Sequence, residues 1–71
     1  MNDKLIKRSI VEALERNGAL KVEDLLKHVG SLHGDLGERF FNRVLMTMEL
    51  QSLIRVYSLT KEKRRVELVG G

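Results

Sequence analysis

The hydrophobic pattern changes its period once, near residue 52, and this switch constrains the fold more than any other feature. Before it, apolar residues recur at three- and four-residue steps in three blocks: Ile6, Ile10, Ala13 and Leu14; Val22, Leu25, Leu26 and Val29; Phe40, Phe41, Val44, Leu45 and Met48. Such spacing gathers each block on one side of a helix, so it predicts three amphipathic helices. After it, Ile54-Arg55-Val56-Tyr57-Ser58 and Arg65-Val66-Glu67-Leu68-Val69 alternate with period two. A polar stretch, Thr60 to Arg64, separates them, and two alternating runs across a short polar loop predict an antiparallel hairpin.

Local signals set the expected boundaries. The first helix runs from Lys4 to Asn17, with Asn2 or Asp3 as its cap and Gly18 at the left-handed position after it. A short extended piece, Ala19-Leu20-Lys21, leads into the second helix, which is expected to end at Gly30. The turn formers between Gly30 and Gly37 predict a loop longer than the turn of a simple helix-turn-helix. The third helix is expected to start near Asp35, with Asp35 and Glu38 as a capping box, and to end near Gln51. The whole is one α+β domain, mostly α, over residues 1–69, with Gly70-Gly71 as an expected disordered tail.

Several function classes are disfavoured by what the chain lacks. It contains no cysteine, so thiolate metal sites and disulfides are impossible. The two histidines, His28 and His33, have no familiar metal-ligand spacing, and the serines have no partners for nucleophilic catalysis. Gly30, Gly34 and Gly37 do not match a phosphate-binding loop. The expectation is a non-enzyme with no metal, no cofactor and no small-molecule ligand. There is no signal peptide or membrane-length apolar run, so a cytoplasmic location is expected, nucleoid-associated if the protein binds DNA.

The stretch from Phe41 to Val56, FNRVLMTMELQSLIRV, resembles the third helix, tight turn and first wing strand of the winged helix-turn-helix family. Leu45, Met48, Glu49, Leu53, Ile54 and Val56 stand where the family pattern V-x-x-x-L-x-x-L-E-x-x-G-L-I-x-V wants them. The resemblance extends from Ile6 to Leu68. It implies a winged helix, three helices plus a C-terminal β-hairpin wing, whose third helix enters the major groove in DNA-binding members. Two features depart from the pattern. Ser52 replaces the usual glycine, so the helix exit is expected to turn differently, and the long Gly30–Gly37 segment is expected to reset the spacing of the second and third helices.

Arg39, Asn42, Arg43, Met46 and Leu50 share the outward face of the third helix, with Thr47 beside them. Arg39, Asn42, Arg43 and Thr47 are types that read base edges or hold phosphates, and equally types that simply solvate an exposed helix. Met46 and Leu50 form an apolar pair with a basic rim, which suits protein docking unless another part of the chain covers it. From Arg55 to Arg65 the expected wing carries Arg55, Lys61, Lys63, Arg64 and Arg65 against Glu62 alone, a net +4 in a chain of net +3. Such a wing fits DNA phosphates, or serves to keep a sheet edge soluble.

These features predict a binding module that contacts duplex DNA through Arg39, Asn42, Arg43, Thr47, Lys61, Lys63, Arg64 and Arg65. The alternative is a small accessory subunit that docks by Met46 and Leu50 onto a larger protein machine, such as a DNA polymerase or a transcription complex.

Overall fold

The computed structural model of the protein describes residues 3–34, 36–60 and 63–70, with only the backbone at Leu59. Six elements follow in order: α1 (Asp3–Asn17), β1 (Leu20–Lys21), α2 (Val22–His33), α3 (Glu38–Leu50), β2 (Ile54–Thr60) and β3 (Lys63–Leu68). The three strands form one antiparallel sheet in the order β1-β3-β2. Three helices with a small sheet ending in a hairpin give a winged-helix-like α+β fold, mostly α.

The predicted stripes make the core. Ile6, Ile10, Ala13 and Leu14 of α1 meet Val22, Leu25 and Val29 of α2 and Phe41, Val44, Leu45 and Met48 of α3 in one buried cluster. Ile54 of β2 and Val66 of β3 close it from the sheet side. Phe40 and Leu26, expected in the core, are instead half-buried against its edge. At about 100° per residue, Phe40 falls well to one side of the Phe41–Val44–Leu45–Met48 stripe, which accounts for its marginal place.

Two helix boundaries differ from expectation. α2 continues through Gly30 to His33, and the left-handed position is taken by Gly34 at φ 88°. A glycine inside a helix costs only about 1 kcal/mol, and tertiary contacts can override it. One such contact is on view: Ser9 Oγ of α1 and His33 Nε2 share a hydrogen bond of 2.6 Å, holding the last turn of α2 against α1. The expected long loop thereby shrinks to residues 34–37. α3 begins at Glu38, with Gly37 in extended conformation as its cap and no side-chain capping bond. Glu38 is therefore the first helical residue, not the third as the expected capping box has it; Asp35, the other half of that box, lies outside the described residues.

The exit from α3 explains how the chain turns with a serine where the winged-helix pattern has glycine. Ser52 adopts φ 61°, the left-handed conformation that glycine takes most readily. Its amide donates to the Glu49 carbonyl at 3.0 Å, and the Leu53 amide donates to the Met48 carbonyl at 2.9 Å. These are the paired bonds of a Schellman motif, so the turn keeps its geometry with a serine in place. The chain then enters β2 in register, and Val69 donates its amide to the Leu53 carbonyl at 3.1 Å.

The strands are longer than the alternation indicated, which draws Lys63, Arg64 and Thr60 into the ladder. Ile54 faces Leu68, Val56 faces Val66 and Ser58 faces Arg64, but Thr60 faces Lys63. Two residues of β2 thus oppose one of β3, a bulge at Leu59 that increases the twist near the tip. The third strand was not anticipated as a strand: Leu20 pairs with Val66 and Lys21 with Arg65.

Candidate nucleic-acid interface

α3 packs against the core along Phe41, Val44, Leu45 and Met48, which leaves its opposite side open. At about 100° per residue, Arg39, Arg43, Met46 and Leu50 fall within roughly 60° of one another at the centre of that side. Arg39 and Arg43 are exposed, and so are Met46 (62%) and Leu50 (80%). The predicted face is therefore present, and no described residue folds over the methionine and leucine. It is divided lengthwise. The arginines occupy the first half of the helix and the apolar pair the second, with centres roughly 10 Å apart at 1.5 Å per residue.

Asn42 and Thr47 sit on opposite flanks and are only partly accessible. Thr47 donates its hydroxyl to the Arg43 carbonyl at 3.0 Å, one turn back, leaving that oxygen free only to accept. Asn42 accepts at its Oδ1 a bond from Arg64 Nη2 at 3.4 Å. A residue expected to read bases therefore also ties α3 to β3.

That contact separates three consecutive basic residues of the wing. Along a strand, successive side chains point to opposite sides of the sheet. Arg64 shares the inner side with buried Val66 and half-buried Leu68 and reaches back to α3. Lys63 and Arg65 are exposed on the outer side. Lys61 lies outside the described residues.

The outer side of the sheet gains a cation that periodicity did not flag. Because Lys21 pairs with Arg65, and Arg65 with Tyr57, these residues form one row across the three strands. Arg55 opposite Glu67 forms the next row. The signal for Lys21 lay in strand register, which a two-residue strand cannot announce by alternation.

Two depressions border α3. One, of about 160 Å³, lies among Lys21, Val22, Glu23, Leu26, Glu38, Asn42 and Arg64. Its two carboxylates offset its two cations, so it offers no strong preference for an anion. The other, lined by Asn42, Leu45, Met46, Glu49, Val56 and Arg64, runs between α3 and the wing and continues the Met46 side of the open face. Among the described residues, no three His, Cys, Asp or Glu side chains gather in a way that could hold a metal ion. Nor is any described helix long and apolar enough to cross a membrane. No protein-family model matches the chain, and neither does any curated protein or solved structure.

Proposed function

We propose that the protein is a non-catalytic winged-helix binding module that contacts duplex DNA with α3 and the wing. The observation that carries this reading is the Arg64–Asn42 contact, which joins the wing to the flank of α3. It couples the exposed arginines of α3, Arg39 and Arg43, to a wing bearing Lys63 and Arg65. A helix with two arginines at its entering half can reach base edges in a major groove, while wing cations neutralise backbone phosphates alongside. Asn42 and Thr47 then serve at the margin of the groove. On this reading the protein works in the cytoplasm, at the nucleoid, without a cofactor.

The test is binding of the purified protein to random duplex DNA over a salt series. Each phosphate neutralised contributes about −0.9 to the slope of log affinity against log salt. Arg39→Ala with Arg43→Ala, and separately Lys63→Ala, Arg64→Ala and Arg65→Ala together, are expected to weaken binding and flatten that slope. Wild-type affinity in the wing triple variant would rule the wing out of the interface. No binding of the wild type at low salt would overturn the duplex reading.

A second reading has its own support in the exposure of Met46 and Leu50. An apolar pair one helical turn apart, with arginines on the same face, has the make-up of a protein-docking spot. The protein would then be an accessory subunit of a larger machine, such as a DNA polymerase or a transcription complex. Met46→Glu with Leu50→Glu is expected to abolish capture of such a partner and to leave wing-mediated DNA binding mostly intact.

A further inference from the structure

We propose that the outer face of the sheet is also a site for single-stranded nucleic acid, with one base stacked on Tyr57 and phosphates on the cations beside it. The proposal shares Lys63 and Arg65 with the duplex reading but does not rest on it, because Tyr57 has no part in the duplex interface.

Strand register builds the site. Lys21, Arg65 and Tyr57 form a row across β1, β3 and β2, and Lys63 and Arg55 lie on the same side. Strands in a sheet lie about 4.8 Å apart and alternate residues along a strand about 6.8 Å apart. The cations therefore form a shallow grid some 10 Å wide beside a single ring on the edge strand β2, a layout that can follow an extended phosphate backbone. Among the described strand residues, Glu67 is the one carboxylate on this side, and it faces Arg55 at the far end from Lys63. Lys63 and Arg65 make no hydrogen bond or ion pair to another described side chain, so their charge is available, while Lys21 also borders the depression that holds Glu23 and Glu38.

Tyr57 decides the class of ligand. It is 37% exposed beside Arg55, Lys63 and Arg65, while Val56 and Val66 beneath it serve the core and the exposed apolar residues Leu53 and Val69 lie at the end of the same face away from Lys63. A duplex keeps the faces of its bases inside its own stack and has no use for such a ring. A single strand presents unstacked bases, and a positively charged surface with an aromatic platform is what such strands bind. An acidic peptide would satisfy the cations but not the tyrosine.

The chain has one tyrosine and no tryptophan, so its intrinsic emission reports Tyr57 directly. Titration with an oligothymidylate of about eight nucleotides, within the range small single-strand binders cover, is expected to quench that emission to saturation. With a labelled oligonucleotide read by anisotropy, Tyr57→Phe is expected to bind as the wild type does. Tyr57→Ala is expected to lose roughly tenfold in affinity, the scale of one base stack. Lys21→Ala is expected to lower the salt slope by about 0.7, one phosphate on a single strand. An oligouridylate run in parallel distinguishes ribose from deoxyribose partners, and saturable quenching by either supports the site.

Binding without quenching, or wild-type affinity in Tyr57→Ala, would overturn the proposal. So would an oligoglutamate of equal charge that binds as tightly as the oligonucleotide. Duplex affinity is measured on the same variants and is expected to be unchanged in Tyr57→Ala. A wild type that binds duplex but no single strand would sink this site alone, and the reverse pattern would sink the duplex reading alone.

Discussion

The two sides of α3 are both partly apolar, yet only one is covered. Met48 is fully buried in the core, while Met46, two residues earlier, is 62% exposed. The same side chain therefore does opposite work depending on its angle around the helix. Phe41, Val44, Leu45 and Met48 are buried in the core, whereas Arg39, Arg43, Met46 and Leu50 stand exposed on the other side. An apolar residue on this helix is informative about function when it lies on the side away from the core, and about stability when it does not.

That contrast can be broken at several points. The largest effect is expected at Phe41. Its truncation to alanine should cost about 3–5 kcal/mol, near the full stability of a domain this small, and urea denaturation would show little folded protein left. Met48→Ala is expected to follow at about 2–5 kcal/mol by the same measurement. A smaller effect, of opposite sign, tests the exit where the two sides meet. Ser52→Gly relieves a left-handed serine and should stabilise by up to about 1 kcal/mol, read as a higher denaturation midpoint with an unchanged slope. The smallest belongs to the open side. Met46→Gln and Leu50→Gln should each move stability by no more than about 0.5 kcal/mol. A larger loss would mean that the apolar pair is structural after all.

The helices and the hairpin were legible in the sequence because each buries a periodic stripe, and periodicity is written locally. Gly18, which receives its left-handed φ of 71° and donates to the Leu14 carbonyl at 2.9 Å, was legible for a similar reason. What depended on distant partners was not. Gly30 carries the composition of a helix end, but the contact between Ser9 and His33 extends α2 by a further turn. The capping box drawn from Asp35 and Glu38 matched residue types, while the helix starts one position after Gly37 without any side-chain cap. Ser52 in place of glycine was expected to turn the helix exit differently, yet the paired bonds to Met48 and Glu49 hold it in the conformation glycine would have taken.

The same divide runs through the candidate interface. That Arg39, Arg43, Met46 and Leu50 share a side follows from helical spacing and needed no tertiary information. Treating Lys63, Arg64 and Arg65 as one basic patch overlooked the alternation of a strand, which turns Arg64 inward to Asn42 and its neighbours outward. Lys21 entered only through register with Arg65, because two residues are too few to reveal which side they face.

The strand order has a consequence for how the protein comes to be made. β3 is the last of the six elements in the chain, but it is the middle strand of the sheet and supplies Val66 to the core. β1, near the other end of the sequence, has no strand partner besides β3. A nascent chain can therefore form its helices as they emerge from the ribosome, but it cannot seal its interior until β3 has emerged as well. Until then the apolar sides of all three helices stay open to water and to other nascent chains, so synthesis stalled just short of β3 would leave a sticky, protease-sensitive intermediate.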